Sequence, residues 1–270
     1  MRLGIGTYTF AWAIGVPGSL PAQPMSAFDL LAEAARLGVR VVQFCDNLPL
    51  VTLPASELEA FHQRVQELGL EVELGTRGLV PKNLRAHLRL AQRFGCSFLR
   101  LVIDNHGDEP SADETVARLK PLLAEFEAAG VRLAIENHDR FRSATLAWVV
   151  GQLGRERVGI CLDTVNSFGA LEGPEVVVQN LGPLTLCLHV KDFTIRRVSH
   201  QMGFVVEGCA AGRGRLNVPW LLEALKPCSH PCNAILETWV TPGDSLDETI
   251  RRERAWAEEG VRYLRGLISD

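Results

Sequence analysis

"AEFEAAGVRLAIENHDRF" (124–141) holds the pattern that decides the fold. A helical stretch runs into Gly130, a residue suited to the left-handed turn that ends a helix. "VRLAIE" (131–136) then reads as a buried strand, and Asn137, His138, Asp139 and Arg140 follow at once. The strand therefore delivers its most polar residues straight off the end of a core element.

Outward from this stretch the same unit recurs. Strands are expected at 2–6, 39–44, 70–75, 97–103, 131–136, 157–163, 184–190 and 233–238. Helices are expected from Ser26 to Gly38, over about 56–68, 81–94, 143–153, 174–181 and 217–225, and after the capping boxes "SADE" (111–114) and "SLDE" (245–248). Leu246, Ile250, Ala257, Val261 and Leu264 stripe the last helix. Strands alternating with helices imply a parallel sheet with right-handed crossovers. Eight units of roughly 30 residues each predict an α/β fold of the (β/α)8 TIM-barrel type, one domain over 1–270. An open doubly wound sheet would carry a glycine-rich nucleotide turn after its first strand, and "GIGTYTF" (4–10) is not one. "GRGRL" (212–216) follows no strand directly and reads as a turn into a helix capped by Asn217. Residues 193–216 form a long excursion after the seventh strand, expected as a hairpin or flap over the site.

Composition narrows the function. Hydrophobic residues make up 47% and charged residues 22%, ordinary globular values. A net charge of −4 without a basic stripe argues against a nucleic-acid binder. No apolar run is long enough for a membrane span, and "MRLGIGTYTF" is too short and polar for a signal peptide. The seven cysteines read as reduced thiols of a cytoplasmic protein, with "CSHPC" (228–232) a loop carrying two incidental cysteines.

In such a barrel the carboxyl ends of the strands face one site. The last four strands end in Glu136, Asp163, His189 and Glu237, spaced 27, 26 and 48 residues apart. The first two intervals match one βα unit and the third one unit plus the excursion. Three carboxylates and an imidazole aimed at one point would repel and lie partly desolvated unless a divalent cation joined them. Mn²⁺, Mg²⁺, Co²⁺ and Zn²⁺ all suit that donor set. Each residue also has a structural reading: Glu136 paired with Arg100, Asp163 capping its turn, His189 in the core, Glu237 in a buried ion pair.

"IENH", "CLDTVNS", "LHVKD" and "ILET", in this order and spacing, make the chain resemble the xylose isomerase-like superfamily of TIM-barrel sugar isomerases and epimerases, over nearly its whole length. The resemblance implies that Glu136, Asp163, His189 and Glu237 bind one Mn²⁺-type ion. It also implies that Glu136 and Glu237 exchange a proton with a substrate carbon, as the two glutamates of ketose 3-epimerases do. Chelation of a sugar ketone and its neighbouring hydroxyl acidifies the adjacent C–H, and the resulting enediolate leads to epimerisation, isomerisation or loss of a β-leaving group. The expected activity is sugar isomerase or epimerase. A dehydratase of the inosose or 3-dehydroshikimate type and a metal-free carbohydrate-binding barrel are the alternatives. Apurinic-site endonucleases of the superfamily use more histidines and three metals; here Asn166 and Arg77 stand where histidines would be, and no Asp-x-His follows His189.

Tyr8, Trp12, His106, His138, Asn166, Lys191 and Arg213 are the candidate substrate-binding residues. Tyr8, Phe10 and Trp12 suit an apolar wall against a sugar face, His106 and His138 follow strand ends, Lys191 suits an enolate, and Arg213 could reach an anion from the excursion. The expected partners are a small-molecule sugar or keto acid and, as a homo-oligomer, further copies of the chain.

Overall fold

Eight strands close into a parallel barrel in this computed structural model, which describes residues 1–226 and 232–269. They are β1 (Leu3–Gly6), β2 (Val41–Phe44), β3 (Glu71–Arg77), β4 (Phe98–Val102), β5 (Arg132–Glu136), β6 (Val158–Asp163), β7 (Thr185–Val190) and β10 (Asn233–Leu236). β10 closes the ring between β7 and β1. β8 (Asp192–Arg197) and β9 (Phe204–Cys209) form a separate antiparallel hairpin in the excursion after β7.

The strands are buried on both faces, as parallel barrel strands must be, and so read as apolar runs. Alternate residues point into the barrel or out toward the helices. Inside, Val41, Phe98, Ala134, Cys161, Cys187 and Ile235 form one apolar cluster, and a larger core fills the layer between strands and helices. Gly130, with φ 67°, takes the left-handed turn that hands the chain from helix to β5.

The helices fall at Ala27–Leu37, Ala55–Leu68, Pro81–Phe94, Ser143–Leu153, Pro174–Leu181, Val218–Leu225 and Leu246–Arg265, with a short turn of helix at Ala11–Ile14. The stretch after Ser111 is broken: Ala112–Leu119 and Leu123–Ala128 flank a 3-10 turn containing Pro121, which has no N–H to continue the ladder. The capping box at Ser111 and Glu114 forms in both directions. The one at 245–248 is half made: Ser245 accepts from the Glu248 N–H, but the Glu248 carboxylate accepts from Asp244.

The "GRGRL" segment has a specific task. Asp192 is buried, and its carboxylate accepts the N–H groups of Phe193 and Leu216 on Oδ1 and of Gly212 and Gly214 on Oδ2. The backbone donors that could cradle a phosphate are thus taken by the chain's own carboxylate. A Cβ at Gly214 would lie 2.1 Å from Asp192 Oδ1, so only glycine fits. Asn217 caps the next helix by accepting from the Trp220 N–H. Cys45, Cys96, Cys161, Cys187 and Cys209 are free thiols. Of "CSHPC", residues 228–231 lie outside the described residues. Among the described residues, no helix is long and apolar enough to cross a membrane.

Candidate metal centre

Glu136 and Asp163 are the last residues of β5 and β6, His189 lies opposite Asp163 in the β6–β7 register, and Glu237 directly follows β10. All four are buried, none more than 3% exposed. His189 Nδ1 lies 3.2 Å from Glu237 Oε1, 3.4 Å from Glu136 Oε2 and 3.9 Å from Asp163 Oδ2. One donor atom each from Glu136, Asp163 and His189 fall within 4.8 Å of one another. His189 Nδ1 and Glu237 Oε1 are buried without a hydrogen-bond partner. Buried polar atoms are nearly always satisfied, so two unsatisfied atoms converging with the Asp163 carboxylate on one point suit a divalent cation. Three carboxylates and a neutral imidazole are the donors a divalent ion takes.

The structural readings of these residues hold at the same time. Asp163 Oδ1 accepts the N–H groups of Val165 and Asn166, which leaves Oδ2 for the centre. Asn137 is buried and pins β5 to β6: its side chain donates to the Asp163 carbonyl at 2.8 Å and accepts from the Asp163 N–H at 2.7 Å. Arg100, at mid-strand in β4, donates from Nε to Glu136 Oε2 at 2.5 Å and from a terminal nitrogen to Asp46 Oδ1 at 2.9 Å. Asn166 Nδ2 donates to Glu136 Oε1 at 2.8 Å. Asp46 also accepts from Tyr8 and Arg77 on Oδ2.

Burial would raise the Glu136 carboxyl, but the charges of Arg100, His189 and Lys191 outweigh it and hold it at about 2. Lys191 Nζ lies 2.7 Å from Asp163 Oδ2 and 2.8 Å from Glu237 Oε2. Burial disfavours its charge, yet the surrounding carboxylates keep it well above the usual lysine range. Burial likewise opposes protonation of His189, but Cys161, Glu237 and Glu136 push it up to about 10. Without an ion, a proton belongs on the imidazole face that an ion would take, and the two compete. Four carboxylates (Asp46, Glu136, Asp163, Glu237) meet three permanent cations (Arg77, Arg100, Lys191), so the cluster still has room for positive charge.

The substrate candidates divide. A cavity of about 650 Å³ beside the centre is lined by Tyr8, Asp46, Arg77, Asn83, Asn105 and His106, among others. A second, of about 310 Å³, is lined by Asn166, Lys191, Phe168, Trp239 and Val206 of β9. Trp12, Phe10, His138 and Arg213 line neither cavity. Trp12 is tied down by its indole N–H to the Val240 carbonyl, and Phe10 is fully buried in the core. His138 does not continue the β5 alternation, because the strand ends at Glu136, and its ring lies 3.2 Å from Asp139. Arg213 is largely exposed and pairs with Glu259 on the last helix. Sequence reasoning does not single out Asp46 or Arg77 for the site and gives Arg100 only a pairing role with Glu136. A charged residue inside "FLRLV" was the available signal.

The chain is 33% identical over 264 residues to the 3-oxo-isoapionate decarboxylase of Pectobacterium atrosepticum, covering 98% of this chain and 95% of the relative. A xylose isomerase-like TIM barrel protein from Mycobacterium smegmatis, solved in complex with magnesium, superposes with a TM-score of 0.70 at 14% identity over 97% of both chains. A D-psicose 3-epimerase solved in the presence of D-fructose superposes with a TM-score of 0.73 at 14% identity over 100% of both, a likeness of fold. The family model of the xylose isomerase-like TIM barrel matches residues 31–267, and the chain belongs to that family.

Proposed function

We propose that this chain is a divalent-metal-dependent decarboxylase of a 3-oxo sugar acid. Decarboxylation stands outside the isomerase, epimerase and dehydratase expectations drawn from the motifs, although all of them pass through an enolate of a hydroxy-ketone. The relative from Pectobacterium atrosepticum supports the reading. The observation that carries it is the clamp on Glu136. Two-base epimerisation needs both glutamates to take up and release a proton, yet Glu136 has Arg100 on Oε2 and Asn166 on Oε1. A decarboxylase needs no base for its opening step, because the C1–C2 bond itself supplies the electron pair.

Glu136, Asp163, His189 and Glu237 would hold the ion, with Mn²⁺ and Mg²⁺ suited to the donors. When bound, the ion supplies Lewis acidity that draws electrons toward the 3-oxo group. Arg77 lines the larger cavity and uses Nε on Asp46, which leaves its terminal nitrogens to bind the substrate carboxylate. The C1–C2 bond breaks, CO2 leaves and the electron pair becomes the C2=C3 bond of the enolate. Lys191 stabilises the developing negative charge, and C2 takes its proton from water.

The test is to incubate the metal-loaded protein with a 3-oxo sugar acid in D2O, alongside a panel of ketohexoses. CO2 release with one deuterium at the new C–H is expected. Deuterium exchange into a ketohexose with no CO2 from the acid would restore the epimerase reading and sink this one.

A further inference from the structure

The imidazole of His189 has a second face, turned into the barrel. There Nε2 meets Gln43 Oε1 at 2.8 Å, the shorter of its two contacts, and Cys161 Sγ at 3.2 Å. Gln43 is fully buried on β2, and its amide has only one orientation that fits its neighbours. Its oxygen is also approached by the Cys45 thiol, a donor, at 3.3 Å. Its nitrogen faces two acceptors, Glu73 Oε2 at 3.0 Å and Cys187 Sγ at 3.3 Å. Turning the amide over would set its NH2 group against His189 and its oxygen against a carboxylate. Glu73 is itself fixed at its other oxygen by Asn233 Nδ2 at 2.9 Å. A glutamate in the middle of a closed barrel, with no role in the cluster above it, needs a reason to be there.

We propose that Glu73 is a positioning residue for the metal centre, acting through Gln43: it holds the Gln43 carbonyl toward His189, so that Nε2 keeps its proton and Nδ1 is the nitrogen presented to the ion. The inference rests on the metal-centre reading above. It deepens that reading by tying ion affinity to a residue on the opposite side of Gln43 from the ion. The imidazole that binds a metal needs its other nitrogen held by an acceptor, and losing such a partner typically weakens binding about 10- to 100-fold. Glu73→Gln replaces an acceptor at both oxygens by one acceptor and one donor. Either Gln43 or Asn233 must then face a donor, and the Gln43 orientation is no longer enforced. Gln43→Met removes the carbonyl while keeping an unbranched chain of similar length.

The experiment uses the full chain with selectively 15N-labelled histidine. The Nε2–H signal of His189 is followed in the ion-free protein, and Mg²⁺ and Mn²⁺ binding is titrated calorimetrically. Far-UV circular dichroism checks that each variant is folded. The expected result is a protected Nε2–H signal that moves or vanishes in both variants, with ion affinity at least 10-fold weaker in each. A signal unchanged in Glu73→Gln, with affinity within twofold of the parent in folded variants, would overturn the proposal. A parent protein that takes up neither ion while the signal still responds in both variants refutes the metal centre and leaves the orienting role of Glu73 standing.

Discussion

At the scale of single residues, Lys191 carries the sharpest expectation. Its ammonium lies between Asp163 and Glu237, on oxygens that belong to the ion site or adjoin it. Thr164 fixes its backbone from both sides, accepting from the Lys191 N–H and donating to its carbonyl. Two roles are separable here: counter-ion to buried carboxylates, and the proposed one of stabilising the enolate. Lys191→Met removes both. Breaking a buried pair costs about 3–5 kcal/mol, so the ion-free protein should melt earlier. The carboxylates freed from Lys191 then bind a divalent ion more tightly, so added Mg²⁺ or Mn²⁺ should recover more of the melting temperature than in the parent. Turnover should fall about 100-fold or more even with the ion bound, the usual cost of removing a transition-state charge partner. Thermal melts with and without ion, set beside kcat, read out the two effects. Turnover within a few-fold of the parent would leave Lys191 as a counter-ion only.

At the scale of elements, the excursion after β7 is organised from one carboxylate. Asp192 gathers four backbone N–H groups, and its own carbonyl accepts from the Trp239 indole at 2.9 Å. The loop, the hairpin and the segment after β10 are therefore joined at one residue. Val206 of that hairpin and Trp239 both line the smaller cavity beside Lys191. Asp192→Asn leaves a single acceptor oxygen for four donors. With buried unpaired groups at about 1–3 kcal/mol each, a loss of roughly 2–4 kcal/mol is expected. For a chain of this size that is a fall of roughly 5–10 °C in melting temperature. Gly214→Ala should act in the same way, by driving a Cβ into the same carboxylate. KM should rise in both while ion affinity stays unchanged. A melting temperature within 1–2 °C of the parent's in Asp192→Asn, a span that counts as small on this scale, would show that the loop holds by other means. The strands and helices themselves were legible because each apolar run is closed by a turn signal or a cap. Glu136, Asp163, His189 and Glu237 were legible for the same reason, each ending such a run. Gln43, Glu73 and Arg100 were not. A parallel strand is buried on both faces, so polarity at mid-strand gains meaning only once closure shows which face is the interior.

At the scale of the whole molecule, the barrel closes where its first and last units meet, and a carboxylate sits in that seam. Glu253 on the last helix is fully buried and accepts the N–H groups of Trp12 at 2.9 Å and Ala13 at 3.0 Å. Burial pushes its carboxyl up to about 7, with the two N–H groups and Arg254 pulling only partly the other way. The unfolded chain releases this proton near the ordinary value of 4.5, so between 4.5 and about 7 the folded protein holds a proton that the unfolded one has lost. Stability at this residue therefore falls as pH rises through that window and levels off above it. The size is about 3 kcal/mol, to order of magnitude. Other groups occupy neighbouring windows. Glu136, held at about 2, contributes stability that is lost as pH falls from 4.5 toward 2. His189, raised to about 10 in the ion-free protein, contributes stability that is lost as pH rises from 6.5 toward 10. Comparison with Glu253→Gln separates the seam from both, since the amide keeps the shape and cannot titrate. Urea unfolding of the ion-free protein at pH 5 and pH 7 should show the parent losing about 2 kcal/mol more than the variant between the two. An equal loss in both would mean that Glu253 ionises freely in the folded state, and that the seam is open to water.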